Sequence, residues 1–293
     1  MAYANLEDVC ENCTAIDFRS RACTDLLSSS PKANTSLAFI LADAGYDVWM
    51  GNSRGNIYST KHTTLSPDSD AFWDFSYDEF AKYDIPATLD YVLKTTQSSS
   101  LSYIGHSQGT TIAFAEFSRN QTWHSKINVF IALAPVAYVG NMISPLRYIS
   151  DFAPEIETRM PVYAAHIPQG TSVKDIVHWS QLIHSKKFEM YDYGRSGNQK
   201  HYGQATPPAY NASKVKIPTA IFYGGKDWIA DAKDVRILIS QLRHLISTSF
   251  IKDWDHLDFI AGRDAPQLVY NNVLKILKQY SETQNRTRRN LYF

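Results

Sequence analysis

The sequence contains no long apolar run and no excess of either charge. No window approaches 18 consecutive apolar residues, so we expect no membrane-spanning helix. The 29 basic and 29 acidic residues cancel, and no basic stripe indicates a nucleic-acid partner. The first residues lack the basic and then apolar layout of a signal peptide. The partner that we expect is a small or neutral molecule.

Cysteine is also scarce. The three cysteines, Cys10, Cys13 and Cys23, all lie near the amino terminus, and any pairing leaves one thiol over. Cys10 and Cys13 form a C-x-x-C, but no second pair and no nearby histidine completes a zinc site. A redox motif would require a strand and helix directly after it. We therefore expect no metal and no cofactor.

Sequons for N-glycosylation are numerous by comparison. They begin at Asn12, Asn34, Asn120, Asn211 and Asn285. Chance surface polarity explains such short patterns as well as glycosylation does. Since N-glycosylation takes place on the secretory route, the sequons argue against a cytosolic protein.

Short apolar runs alternate with helical patterns from about residue 37. The runs at 46–50, 101–105, 128–134, 218–224 and 247–253 are typical of buried parallel strands. Between the first two, residues 75–96 repeat apolar side chains at helical spacing, with Pro86 suited to a first helical turn. The pattern predicts an α/β fold, with a mostly parallel sheet covered by helices on both faces.

Residues 135–217 interrupt this alternation. They are rich in Tyr, His, Pro and Gly and contain no convincing strand pattern. Insertions after a strand's carboxyl end cover the ligand site of such a sheet, so this region is predicted to be a cap. The predicted segments are a divergent amino-terminal segment (1–36), the core (37–134 and 218–280), the cap (135–217) and a polar tail that frays (281–293).

The stretch GHSQG places Ser107 between two glycines. A bare G-x-S-x-G arises by chance in about one chain of this length in ten, so its context decides its meaning. Here a predicted strand precedes it and a predicted helix follows, which is the context of a nucleophile elbow. The backbone N–H of Gln108 then becomes a donor to an oxyanion. The alternative is that Ser107 only caps the helix.

An acid and a base follow in the order that this elbow requires. Asp227 comes after the strand at 218–224, and His256 comes after the next strand. A serine needs such a base to take its proton and an acid to orient the base. Asp231 and Asp234 remain alternatives to Asp227. Other histidines compete with His256: His106 beside Ser107, and His166, His178, His184 and His201 in the cap.

Several longer blocks carry a family resemblance. The stretches GNSRGNIYSTKH, GHSQGTT, YGGKDWIAD and HLDFIAGRDAPQLVYNNV resemble the acid lipases, a family that includes gastric and lysosomal members. The similarity runs from about Ser36 to Tyr280. It implies an α/β-hydrolase fold, a triad of Ser107, Asp227 and His256, and hydrolysis of acylglycerols or cholesteryl esters at lipid surfaces. It also implies glycosylation and a secreted or lysosomal location.

The chain departs from the family in two places. The His-Gly-Leu stretch that supplies a second oxyanion donor is absent, and RSRA stands in its place. The strand that separates the first two predicted strands is also expected to be missing, with TAIDFR as a candidate substitute. Only DFAPEIE stands where the family has a long lid. From these losses we expect weak activity and an open site.

Three functions therefore compete. The leading hypothesis is a serine hydrolase of lipid esters. The second is a catalytically impaired lipase-like protein that binds lipid or a partner through its pocket. The third is another serine hydrolase on the same fold, such as a thioesterase or peptidase, because a fold does not fix a substrate.

Overall fold

A six-stranded parallel sheet forms the centre of the molecule in the computed structural model. The structure describes residues 14–18, 36–56, 59–143 and 171–289. The strand order is β2-β1-β3-β4-β5-β6, and every neighbouring pair is parallel. The strands are β1 (Thr14–Phe18), β2 (Asp47–Gly51), β3 (Leu101–His106), β4 (Ile127–Leu133), β5 (Thr219–Gly224) and β6 (Leu245–Ile251).

The first strand corrects the expectation that a central strand is missing. β1 lies between β2 and β3, and Ile16 is opposite Trp49 on one side and opposite Tyr103 on the other. The segment TAIDF thus fills the gap. Its five residues include Thr14 and Asp17, so it lacks the continuous apolar character that identified the other strands. Its two-sided pairing is visible only in the assembled sheet.

Burial within the sheet follows strand position. Every residue of β3 and β5 is buried, as is every residue of β4 except Asn128. The edge strand β6 instead alternates between half-buried and exposed positions. Parallel strands with both faces covered are apolar throughout, which explains why their sequences contain continuous apolar runs.

Helices cover the sheet and connect its parallel strands. The predicted crossover at 75–96 is one helical run: an α-helical turn, a π-helical segment at Phe80–Asp84 and a longer α-helix. The α-helices are α1 (Leu37–Asp43), α2 (Tyr77–Glu79), α3 (Ile85–Thr96), α4 (Gln108–Arg119), α5 (Val173–Ser185), α6 (Gly194–Tyr202), α7 (Ala232–Gln241), α8 (Asp258–Ala261) and α9 (Asn271–Arg289).

The last helix is longer than the sequence pattern predicted. α9 continues to Arg289, whereas a fraying tail was expected from residue 281. Residues 281–289 contain Glu, Gln and Arg, which are good helix formers, and no proline or glycine. Among the described residues, no helix combines the length and the apolar character needed to cross a bilayer.

The described part of the cap is held to the core by buried aromatic rings. His178 of α5 stacks on Tyr77 of α2 with ring centroids 4.0 Å apart. Phe188 and Tyr210 pack together beside them, with centroids 4.9 Å apart. The Tyr77 hydroxyl also donates to the Glu189 carbonyl at 2.5 Å. The DFAPEIE stretch, predicted to stand where the family has a long lid, lies outside the described residues, and the predicted segment boundaries stay predictions.

Candidate active site

Ser107 occupies a strained turn between β3 and α4. Its backbone has φ 53° and ψ −123°, a conformation that is costly for a residue with a side chain. It holds the N-cap position of α4, but its side chain makes no capping hydrogen bond. Helix capping therefore does not account for this serine. Its hydroxyl is directed instead to a histidine.

Gly105, two residues before Ser107, permits this turn. A Cβ atom on Gly105 would lie 2.9 Å from the backbone carbonyl carbon and oxygen of Gly109. The end of β3 and the first turn of α4 thus pack backbone against backbone. Thr110 closes the turn, because its hydroxyl donates to the Ser107 carbonyl at 2.6 Å. The strand, turn and helix therefore act as one unit that fixes the serine.

Three predicted side chains meet at the carboxyl edge of the sheet. His256 Nε2 lies 2.7 Å from Ser107 Oγ, and His256 Nδ1 lies 2.9 Å from Asp227 Oδ2. The other carboxylate oxygen of Asp227 accepts the backbone N–H groups of Ile229 at 2.9 Å and Ala230 at 2.8 Å. Asp227 and His256 are only 3% and 7% exposed. The arrangement is a continuous chain from carboxylate to imidazole to hydroxyl.

Close packing of two turns brings Asp227 and His256 together. A Cβ on Gly224 would collide with the Trp254 carbonyl, and a Cβ on Gly225 with the Lys252 carbonyl. The turns are also hydrogen-bonded, with the Lys226 N–H donating to the Trp254 carbonyl at 2.9 Å. The pair of glycines after β5 therefore permits the close approach of the two turns.

The alternative acids have other partners. Asp231 caps α7 by accepting the Lys233 N–H at 2.8 Å. Asp234 accepts the backbone and side-chain N–H groups of Asn141 at 2.8 and 2.7 Å. Of the three candidates, Asp227 is the one hydrogen-bonded to the histidine.

The competing histidines also lie elsewhere. His178 and His184 contact the carbonyls of Glu189 and Ser180, and His201 stacks on Tyr193. His166 lies outside the described residues.

His106 has a role that the sequence did not reveal. Its Nε2 lies 2.9 Å from the His256 carbonyl oxygen, and the two rings are 4.8 Å apart. It is buried and supports the turn that carries His256. Its position directly before Ser107 gave no indication of a partner 150 residues away.

Gln108 contributes two different groups. It is the first residue of α4, and the N–H groups of Thr110 and Thr111, two and three residues later, donate to the Ser107 carbonyl at 2.9 and 3.4 Å. The Gln108 N–H thus precedes the first bonded turn, at the positive end of the helix dipole. Its side-chain amide donates to Asp175 Oδ2 at 2.9 Å. The RSRA segment lies outside the described residues.

Two buried carboxyl groups lie between the cap and the elbow. Burial raises the pKa of Asp175 to about 6 and that of Asp78 to about 6. Asp78 accepts the Tyr210 hydroxyl at 2.5 Å and the Tyr191 N–H at 2.8 Å. Among the described residues, no His, Cys, Asp or Glu side chains group in threes as a metal site requires.

Two of the predicted sequons fall on described side chains. Asn211 is exposed, and its side-chain oxygen accepts the Ser213 N–H at 3.0 Å and hydroxyl at 2.6 Å. Asn120 is half-buried, and its amide nitrogen donates to Glu116 at 2.9 Å. Asn12 and Asn34 lie outside the described residues, as does the side chain of Asn285.

Sequence similarity to known proteins shows which family this chain belongs to. Residues 33–262 match the model of the alpha/beta hydrolase fold. Human lysosomal acid lipase/cholesteryl ester hydrolase is 41% identical over 85% of this chain and 75% of its own length. Human gastric triacylglycerol lipase is 41% identical over 87% of this chain and 77% of its own length. The chain belongs to the acid lipase family. As a member of this family of α/β-hydrolases it is an ester hydrolase.

More distant structures share the fold of this acid lipase family member. A soluble variant of monoglyceride lipase from Saccharomyces cerevisiae superposes with a TM-score of 0.59 at 14% identity, over 95% of this chain and 90% of its own. A monoacylglycerol lipase from Paleococcus ferrophilus gives a TM-score of 0.57 at 12% identity, over 95% and 98%. At such identities the likeness concerns the fold alone.

Proposed function

We propose that the chain hydrolyses lipid esters through a covalent acyl-enzyme on Ser107. The observation that carries the proposal is the chain of hydrogen bonds from Asp227 through His256 to Ser107, at 2.9 and 2.7 Å. A serine hydroxyl is a weak nucleophile at neutral pH, and an oriented imidazole removes that weakness. Asp227 keeps the imidazole in the tautomer that accepts the serine proton.

The reaction follows from these contacts in two halves. Ser107 Oγ attacks the ester carbonyl carbon while its proton moves to His256 Nε2. The oxyanion that forms accepts a hydrogen bond from the Gln108 N–H. Collapse expels the alcohol, which takes the proton from His256, and leaves an acyl group on Ser107. Water then attacks the acyl-enzyme while its proton moves to His256. His256 returns this proton to Ser107 Oγ as the acyl–oxygen bond breaks and the acid leaves.

Apolar side chains beside the triad support a lipid substrate. Trp228 follows Asp227 and is 50% exposed, and Leu257 follows His256 and is also 50% exposed. Ile143 is 70% exposed, and its N–H donates to the Trp228 carbonyl at 3.2 Å. Such exposed apolar surface at a site favours an apolar acyl or sterol group. The two human relatives are named for cholesteryl esters and triacylglycerols.

The proposal includes a secreted or lysosomal location. One relative is named as lysosomal and another as gastric. The exposed Asn211 is the better placed of the two described sequons for a glycan, because the Asn120 amide is engaged by Glu116.

A fluorophosphonate probe tests the proposal, because it reacts covalently with activated serines. We expect one label per chain, located at Ser107 by peptide mass spectrometry, and none in Ser107→Ala. The matched control is Ser102→Ala in β3, which we expect to keep the label. A label on another serine contradicts the proposal, and a folded chain without any label supports the lipid-binding alternative. Comparison of the turnover of esters, thioesters and amides with the same acyl group then distinguishes a lipid esterase from another serine hydrolase, such as a thioesterase or peptidase.

A further inference from the structure

The side chain of Gln108 is held by a buried acid from the cap. Its amide nitrogen donates to Asp175 Oδ2 at 2.9 Å, across 67 residues of sequence. The same oxygen accepts the Thr171 hydroxyl at 2.9 Å. Asp175 is 2% exposed, whereas Gln108 is half-buried beside the serine. A fixed carboxyl group from α5 therefore reaches the residue that follows the nucleophile.

The helix itself does not require this orientation of Asp175. Asp175 is the third residue of α5, and its N–H donates to the side chain of the N-cap residue Ser172 at 2.9 Å. A third-residue acid usually returns this contact to the N-cap backbone. Glu79 does so in α2, where the Ser76 N–H donates to its carboxylate at 2.7 Å. Asp175 turns to Gln108 instead.

The placement of Asp175 is also unfavourable for folding at neutral pH. Its Oδ1 is buried without a hydrogen bond of ordinary geometry among the described residues, although the Tyr77 backbone N–H faces the carboxyl group and lowers its pKa. Burial raises the pKa of this carboxyl to about 6, and the nearby Asp78 carboxyl acts in the same direction. A buried carboxylate oxygen with incomplete hydrogen bonding lowers the free energy of unfolding. Helix capping alone therefore does not account for the direction of this side chain.

We propose that Asp175 is a positioning residue for the oxyanion donor, holding the Gln108 side chain so that its backbone N–H keeps its direction. The inference rests on the proposed function, in which that N–H stabilises the oxyanion. Preorganised donors lose effectiveness when they must be reoriented during the reaction. Gln108 begins α4, where no N–H of its own is bonded within the helix. Its side-chain contact with α5 supplies the constraint that the helix end lacks.

The charged surroundings of Asp175 define the pH range of a test. Among the described residues, Asp78 and the Tyr77 phenol face it from α2. On its own helix, Lys174 pairs with Asp74 at 2.9 Å, and His178 lies 3.1 Å from the Glu189 carbonyl oxygen. From α4, the neutral Gln108 amide contacts it. A protonated Asp175 still accepts the Gln108 N–H through Oδ2, so the contact survives on both sides of pH 6.

Asp175→Ala and Asp175→Asn separate positioning from packing. Steady-state hydrolysis of a soluble p-nitrophenyl ester, normalised to fluorophosphonate-titrated sites, gives kcat and KM at pH 5 and pH 7. We expect Asp175→Ala to lower kcat about tenfold with little change in KM, less than the 10²- to 10³-fold typical of a lost donor. Asp175→Asn keeps an acceptor oxygen, and we expect kcat within about twofold of the parent. Asp175→Leu, of similar volume, replaces the alanine variant if that variant does not fold.

Two further variants complete the design. Thr171→Val removes the other hydrogen bond to the same carboxylate oxygen, and we expect kcat to stay within about twofold. Gln108→Ala should lower kcat as Asp175→Ala does, and the double variant should lose no more than either alone.

Several results would overturn the inference. They are an equal loss in Asp175→Ala and Asp175→Asn, a change confined to KM, or losses that multiply in the double variant. These outcomes leave labelling at Ser107 untouched, so they are distinguishable from failure of the proposed function.

Discussion

Asp227 uses both carboxylate oxygens, one toward His256 and one toward the turn that follows it. The bonds from Ile229 and Ala230 fix the carboxylate, and the carboxylate fixes the imidazole. Asp227→Asn places an amide where the Nδ1 proton is accepted, and so favours the wrong tautomer. We expect kcat to fall about 10⁴-fold, measured with a soluble ester at saturation.

The neighbouring Asp231 provides the matched control. Asp231→Asn retains a good helix-capping residue at the start of α7 and does not touch His256. Its kcat should equal that of the parent. A small effect of Asp227→Asn on kcat, or a large effect of Asp231→Asn, would show that Asp227 is not the acid of the triad. His256→Ala should lose nearly all turnover, because the three groups act as a unit.

Residues that follow strands were predictable, and residues that act across the fold were not. Ser107, Asp227 and His256 each follow an apolar strand pattern, and parallel strands end at one edge of a sheet. Asp175 lies in a cap helix, and its contact with Gln108 depends on how that helix packs. The contact of His106 with the His256 carbonyl could not be predicted for the same reason.

Strand β1 shows a similar limit for whole elements. The strands from β2 to β6 were predicted to within two residues at each end, because each contains a short run rich in apolar residues. Burial explains the runs of β3, β4 and β5, whereas the edge strand β6 alternates between half-buried and exposed positions. β1 is short, contains Asp17 and is defined by pairing on both sides. The π-helical turn at Phe80–Asp84 left no sequence pattern separate from that of the helix around it.

The central position of β1 makes it sensitive to loss of a backbone donor. Ile16→Pro removes an N–H in the middle of a strand that is paired on both sides. We expect this variant to lose most of its soluble yield and its fluorophosphonate labelling. The control is Ile16→Val, which keeps the N–H and a β-branched side chain. Normal yield and labelling of the proline variant would mean that β1 does not complete the sheet.

At the scale of the whole molecule, the two buried carboxyls link stability to pH. Burial raises the pKa of each carboxyl in the folded protein to about 6, above the usual value of 3.8. The folded state therefore binds their protons more tightly than the unfolded state does. Their contribution to the free energy of unfolding is fully present below about pH 4 and is lost as pH rises through 6. Each difference corresponds to about 3 kcal/mol.

Urea unfolding at pH 4.5 and pH 7.5 measures this dependence. Asp175→Asn has no titrating group at this position, so its stability relative to the parent should be about 2 kcal/mol more favourable at pH 7.5 than at pH 4.5, since only part of the full difference is present at pH 4.5. Asp68→Asn, which changes an exposed carboxyl, should follow the parent at both pH values. A relative stability of Asp175→Asn that does not change with pH would contradict the shift.

The place of β1 in the sheet also has a consequence for biosynthesis. β1 leaves the ribosome before every other described strand, yet both of its neighbours begin later, at Asp47 and Leu101. It waits for β2 and then for β3, while helices form between them. Until then the nascent chain has an unpaired strand that other chains can capture. The order of the strands along the chain thus exposes the backbone of β1 to intermolecular pairing during synthesis.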